Sequence, residues 1–316
     1  MRDRRTTLGA STAGGVLALS VLACMPGPPA HTAPVPEGRV TRNVVIVSID
    51  GLRPDAIERY GAETLGRLMR EGAYTLDART TLPAKTLPSH TSMLTGVSPA
   101  LHGVDWNTDR TDADHDDGEA PDTLPVPTVF ELAHDAGFRT AAFFSKAKFR
   151  HLQPAGALDY TQAPAFSLVP WGAERTVGDA SAYVRRYRPN LVFVHIGEPD
   201  YAGHVVGYMT WAYGQNVRMA DRALARLVDA ADEAYGRGGY TLIVTADHGG
   251  HGRGHGDDVP SDVTIPWIVH GEGVRAGTVL PAGVRTMDTA ATALWLLGVE
   301  PPPFWEGRAV RGAFGG

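Results

Sequence analysis

The stretch NVVIVSIDGLRPDAIERYG (43–61) runs from an unbroken apolar segment into Asp50 and Gly51 and then into a helical pattern. A short, continuous, β-branched run bounded by a turn fits a strand buried on both faces, because a strand with one wet face would alternate apolar and polar residues. Strand-like runs recur at 138 to 144, 190 to 196, 240 to 246 and 264 to 269, alternating with helical patterns at 55 to 70, 128 to 136, 175 to 187, 211 to 235 and 286 to 297. That alternation predicts an α/β fold, a three-layer αβα sandwich around a central, mostly parallel sheet. Ligands of such sheets bind beyond the carboxyl ends of the strands. Asp50, Asp200 and Asp247 each follow an apolar run at that end.

The same places carry further metal-type side chains. Asp200 and His204 lie four apart in EPDYAGH (198–204), so a helical turn directs both to one ion. Asp247 and His248 are adjacent in ADHGGHGRGH (246–255), and Asp50 completes their set. His255 completes the first set, with His251 and His270 as competing candidates. Zinc takes four ligands from imidazole and carboxylate, and a catalytic ion keeps one position open; iron, manganese or cobalt fit similar donors. Thr86 opens TLPSHTSMLTG (86–96). A threonine hydroxyl is barely ionised at neutral pH and becomes a nucleophile only when activated, here by a metal and, if LPSHTSMLTG (87–96) starts a helix, by that helix's positive end. A lone strand-end Asp is more often a helix cap; the joint pattern argues for two metal ions flanking one hydroxyl.

Taken in order, SIDGLRPD, KTLPSHTSMLTGVSPALHGV, EPDYAGH, ADHGG and HGDD resemble the alkaline phosphatase superfamily, most closely its nucleotide pyrophosphatase/phosphodiesterase branch. The resemblance runs from 43 to 311 and includes TMDTAATALWLLGV (286–299) as a last helix. It implies an alkaline phosphatase-like fold, with Asp200, His204 and His255 holding one zinc and Asp50, Asp247, His248 and the Thr86 oxygen the other. It also implies a phospho-threonine intermediate at Thr86, and it makes Asn107 a donor to a phosphoryl oxygen. His255 is preferred over His251 and His270 because HGDDVPSDVTIPWIVHG best matches the family's closing ligand segment. Lys146 and Lys148, in SKAKFR, stand where some phosphomonoesterases of the superfamily carry a Lys and an Arg that contact the terminal phosphate; the plain alternative is a basic helix start exposed to water. His90, His102 and His195 read as supporting or packing residues.

Two departures qualify the resemblance. His255 follows His248 by only seven positions, whereas the named phosphodiesterases carry a long insertion there, so a substrate-covering element is expected to be absent or reduced and nucleotide specificity does not carry over. Sulfatases need Cys or Ser followed by Arg for formylglycine, which Thr86 and His90 rule out. The expected function is a two-zinc phosphoric ester hydrolase acting on small diesters or nucleotide-like substrates. Phosphomonoesterase is the close alternative, and a non-catalytic zinc- or phosphate-binding surface lipoprotein the distant one.

Composition sets the frame. A chain of 316 residues, 43% hydrophobic and 20% charged, can bury a sizeable core. Its net charge of -6 argues against coating nucleic acid. Residues 1–24 read as a signal peptide, with Arg2, Arg4 and Arg5 ahead of GASTAGGVLALSVLA. Arg4-Arg5 followed by TTLG resembles a twin-arginine signal except at Thr7, so the general route stays open. Cys24 resembles a lipoprotein cleavage site, leaving two fates: a lipid tether to the membrane, or removal with the signal. Either predicts export to the periplasm, the exterior or the cell surface. Residues 25–40, rich in Pro and small residues, form a flexible linker, and 41–316 a single catalytic domain. The acidic segment 109–122 reads as a solvated loop, lacking the glycine and terminal Glu of a calcium loop.

Overall fold

The computed structural model describes residues 40–108, 124–165 and 172–315. The signal segment, Cys24, the linker up to Arg39 and the acidic segment 109–122 lie outside the described residues. The strands are β1 (Val44–Ile49), β2 (Ala73–Arg79), β3 (Thr140–Phe143), β4 (Tyr160–Gln162), β5 (Leu191–Ile196), β6 (Thr241–Thr245), β7 (Thr264–Gly271) and β8 (Thr278–Val279). They form one sheet in the order β4-β3-β5-β1-β6-β7-β2-β8, in which β7 alone runs antiparallel to both its neighbours. The expected mostly parallel sheet is therefore present, and β2, β4 and β8 add strands that the apolar pattern did not mark.

Ten helices surround the sheet among the described residues: α1 (Pro54–Arg59), α2 (Glu63–Glu71), α3 (Thr86–Thr95), α4 (Pro99–His102), α5 (Val129–Asp135), α6 (Ala173–Tyr187), α7 (Glu198–Val206), α8 (Trp211–Tyr235), α9 (Pro260–Val263) and α10 (Asp288–Leu297). α3, α5 and α10 pack on one another, while α1, α2, α6 and α7 pack around α8. The expected helix at 55 to 70 is two helices, broken at Tyr60–Ala62 where Gly61 takes φ +64°. α2 has no cap of its own; the buried Asp221 of α8 accepts the amides of Thr64 and Leu65 at 3.0 and 2.8 Å, satisfying its otherwise orphaned first turn. None of the described helices is long and apolar enough to cross a membrane.

Every side chain of β1, β5 and β6 is buried. Each Val, Ile or Leu so placed contributes about 1.5–3 kcal/mol of burial. The register pairs Ile49 with Ile196 and Ser48 with Thr245, so β5, β1 and β6 end level with one another. Their following residues emerge in a row. β3 ends beside β5 in the same direction, bringing the turn with Lys146 next to the row. β6 and β7 are joined by residues 246–263 without a crossover helix, which is why β7 returns antiparallel and its connection stays over the sheet's carboxyl edge.

Candidate metal centre

Three elements of the row supply the carboxylates. Asp50 caps the end of β1, Asp247 lies two residues beyond β6, and Asp200 enters on the first turn of α7 after β5. Gly51 lets them meet: it takes φ +70°, and a Cβ there would lie 2.9 Å from the Tyr208 hydroxyl and 3.0 Å from Asp200 Cα. The Asp200 amide donates to the Asp50 carbonyl at 3.0 Å. Among the described residues, donor atoms within 4.8 Å of one another group as Asp50, Asp247 and His248, as Asp200, His204 and His255, and as His251, Asp257 and Asp262. The first two groups are the expected sets, and His255 occupies the place for which His251 and His270 competed. His270 sits on β7 opposite Leu242 near the amino end of β6, away from the site.

The first group is closed from solvent. Asp247 Oδ1 accepts the amides of Gly51 and His248, both at 3.0 Å. Its Oδ2 is buried without a hydrogen-bond partner, as is Asp50 Oδ1. His248 Nε2 lies 3.2 Å from the former, 3.4 Å from the latter and 3.4 Å from Thr86 Oγ1. Burying even a neutral polar group without a partner costs roughly 2–7 kcal/mol, and a carboxylate more, so two such oxygens facing one imidazole nitrogen beside a hydroxyl fit a cation's coordination shell. Thr86 is the first residue of α3, at the helix's positive end.

The second group is more open. His204 Nε2 lies 3.2 Å and His255 Nε2 3.6 Å from Asp200 Oδ1, and the two imidazole nitrogens are 3.1 Å apart. The Tyr208 hydroxyl donates to Asp200 Oδ1 at 2.7 Å. In all three ligand-type histidines Nδ1 faces a backbone carbonyl: Gly249 O for His248 at 2.7 Å, Arg253 O for His204 at 3.0 Å and Ala84 O for His255 at 2.8 Å. Donation from Nδ1 leaves the Nε2 lone pair for a metal. The rings of His248 and His255 stack at 3.6 Å, joining the two groups.

Lys146 does something that spacing could not foresee. Its ammonium lies 2.6 Å from Asp50 Oδ2 and 2.6 Å from Asp200 Oδ2, bridging one carboxylate of each group. Burial and the Asp200 charge oppose ionisation of Asp50, but Lys146 and His195 outweigh them and hold it below the usual carboxylate range. Burial, with the Asp50 charge beside it, pushes Asp247 well above that range. Burial, then the neighbouring His255, pulls His248 down to about 3, so it is a neutral donor at neutral pH. The hydrogen bond to Asp200 raises His204. Two carboxylates on one ammonium leave negative charge and Asp247 is held toward its protonated form; divalent cations would neutralise the charge and displace the proton.

Supporting residues complete the arrangement. His195 Nε2 pairs with Asp50 Oδ2 at 2.9 Å while its Nδ1 meets Ser145 Oγ at 2.7 Å. His90 bridges the Thr86 carbonyl and Ser48 Oγ, each at 2.8 Å. His102 lies farther back, on Ser92 Oγ at 3.0 Å. A polar residue inside an otherwise apolar strand, as Ser48 and His195 are, signals a partner from sequence alone; Tyr208 carries no such signal. Asn107 is half-buried, and its Oδ1 accepts from Leu87 N at 3.1 Å and Lys148 Nζ at 2.9 Å. That turns its amide nitrogen away from both donors. Lys146 and Lys148 thus both have partners at the site and do not form the freely hydrated helix start that was the plain alternative.

A sequence model of the family described as type I phosphodiesterase / nucleotide pyrophosphatase matches residues 44–253. The chain belongs to that family. Other members are distant: venom phosphodiesterase 2 of Crotalus adamanteus is 24% identical over 229 residues, covering 68% of this chain and 27% of that protein. Human ectonucleotide pyrophosphatase/phosphodiesterase family member 1 is 24% identical over 228 residues, covering 68% and 24%. The chain thus spans about a quarter of the length of these relatives. The structure of human ectonucleotide pyrophosphatase/phosphodiesterase 5 superposes with a TM-score of 0.71 at 15% identity, covering 87% of this chain and 100% of that one. A 2-O GAG sulfatase superposes at 0.67 and 14% identity, covering 86% and 74%. These establish the shared alkaline phosphatase-like fold. The family match ends before His255, so the seat of that residue rests on its geometry.

Proposed function

We propose that this family member is a two-zinc phosphoric ester hydrolase of the phosphodiesterase/nucleotide pyrophosphatase type, with Thr86 as nucleophile. The observation that carries the reading is that two unpartnered buried oxygens, Asp50 Oδ1 and Asp247 Oδ2, lie 3.4 and 3.2 Å from His248 Nε2, which itself lies 3.4 Å from the Thr86 hydroxyl. Asp50, Asp247, His248 and the Thr86 oxygen would hold one ion, and Asp200, His204 and His255 the other; imidazole and carboxylate donors suit zinc. When bound, the two cations supply Lewis-acid stabilisation to the attacking and leaving oxygens.

The chain's own residues supply the rest. Thr86 Oγ bonds to phosphorus as the bond from phosphorus to the leaving alcohol breaks; the hydroxyl proton passes to water, and water protonates the departing oxygen. A water molecule then attacks phosphorus from the opposite side, the bond to Thr86 Oγ breaks, and the hydroxyl is restored. The Asn107 amide, fixed by Leu87 N and Lys148, donates to a phosphoryl oxygen in the transition state. In this reading residues 1–24 are a signal peptide that exports the chain, 25–40 a flexible linker, and 41–316 the catalytic domain.

Lys148 favours a second reading, phosphomonoesterase. Its ammonium sits beside Asn107, where a monoester's extra negative charge would need a donor. Rates on a nitrophenyl phosphate monoester and diester distinguish the two. Thr86→Ala should lower either activity by roughly 10³-fold or more while retaining fold and zinc content. Undiminished turnover in that variant rejects the mechanism, and silence of the zinc-loaded wild type toward both esters favours a non-catalytic binding protein.

A further inference from the structure

The connection between β6 and β7 carries His248 at its start and His255 near its middle, and it folds around a side chain that the proposed chemistry does not use. Asp262 is fully buried. Its Oδ2 accepts the amides of Gly256 and Asp257, the two residues after His255, at 2.9 and 3.1 Å. Its Oδ1 meets His251 Nδ1 at 2.7 Å and accepts the Ser261 hydroxyl at 3.2 Å. Its carbonyl accepts the amide of Gly249 at 2.7 Å, a contact that requires glycine, because a Cβ there would lie 2.0 Å from the Ser261 carbonyl oxygen. Although His251, Asp257 and Asp262 form a third donor group, both Asp262 oxygens already have partners, so the carboxylate is a strut and not an open ligand.

What hangs on the strut is one half of the metal centre. His255 precedes the two amides that Asp262 holds, and Arg253, in the same loop, fixes His204 through its carbonyl. The Asp262 side chain makes no contact with the other half: Asp50 is held by Lys146 and His195, Asp247 by the amides of Gly51 and His248, and His248 by the Gly249 carbonyl, whose residue reaches Asp262 only through the backbone carbonyl that a side-chain substitution keeps.

We propose that Asp262 is a positioning residue that sets the cation affinity of the Asp200/His204/His255 group and leaves the Asp50/Asp247/His248 group nearly untouched. The inference rests on the two-cation reading. The test titrates metal-free protein with Co²⁺, following bound ions by equilibrium dialysis and their visible absorption. Wild type should take up two ions. Asp262→Asn should bind one of them about 10–100-fold more weakly, the usual range for removing a partner that orients a ligand, while the other keeps its affinity and absorption band. Asp262→Ala should weaken the first ion further, and His251→Ala less, since it removes an arm not attached to His255. Should Asp262→Ala fail to fold, the Asn variant carries the test. A merely structural role would weaken both ions together, so parallel loss, or two ions bound at wild-type affinity in Asp262→Asn, overturns the inference alone. A wild-type chain that takes up no divalent cation overturns it together with the two-cation reading.

Discussion

Asp50, Asp247 and His248 have no exposed surface and sit at or just beyond the ends of two adjacent strands, whereas Asp200, His204 and His255 come from a helical turn and a loop and leave the His204 side chain 47% exposed. The donor chemistry is the same, but the mechanical support differs. A group set by the register of a buried sheet can move little, while one hung on a loop can open locally at lower cost. In the proposed mechanism the rigid group would hold the Thr86 oxygen still, and the open one would face the side where alcohol leaves and water enters.

Alanine at one ligand of each group tests this contrast most severely. Asp247→Ala should abolish one cation and lower turnover by about 10³-fold or more, while His204→Ala should weaken the other cation and lower turnover by about 10–100-fold. Steady-state rates and metal content measure both, and equal losses would erase the distinction. Chelation comes next. If each of the two cations, at about a thousand times its Kd, contributes about 4 kcal/mol, or about 8 together, stripping both should lower Tm by about 14 °C in a domain of this size, and calorimetry with and without chelator reads the shift. Lys148→Gln, which spares both groups, should lower monoester turnover by about 10-fold and leave diester turnover within about threefold; an unchanged ratio would remove Lys148 from phosphate recognition. The smallest effect is on pH. Burial, then the Lys146 charge, lowers Lys148 from 10.5 to about 8, so the ratio of monoester to diester turnover should fall as pH rises through about 8. Between about 8 and 10.5 the unfolded chain binds the extra proton, so this residue's contribution to stability rises with pH across that window.

The central strands were legible because a sheet covered on both faces demands unbroken apolar runs, as in β1, β5 and β6. β2 was not: in AYTLDAR only Ala73, Thr75 and Ala78 are buried, too weak a pattern to separate from a loop. α3 is buried throughout without an apolar stripe, because Thr91 and Thr95 return their hydroxyls to the carbonyls of Leu87 and Thr91. Five of the His and Asp ligand candidates could be read because each follows a strand or continues its turn, whereas His255, in mid-loop beyond β6, was separated from His251 and His270 only by the family resemblance. The seat of Lys146 could not, since it depends on β3 lying beside β5, a fact of strand order. Asp262 was hidden for the same reason, as its partners become neighbours only once the loop has closed.

The antiparallel return of β7 has an evolutionary consequence. Because β6 and β7 are hydrogen-bonded partners, the two stems of their connection stand side by side. A loop closed at its base can lengthen at little entropic expense, about 0.6 kcal/mol per doubling. In this chain the first half carries the reciprocal His251–Gly254 bonds and the hold of Arg253 on His204, contacts that a long insertion between His248 and His255 would have to replace. Asp258, two-thirds exposed and, among the described residues, tied by a 3.5 Å ion pair to Arg79, lies outside those contacts, so chain added there would lengthen the loop while the sheet beneath stays as it is.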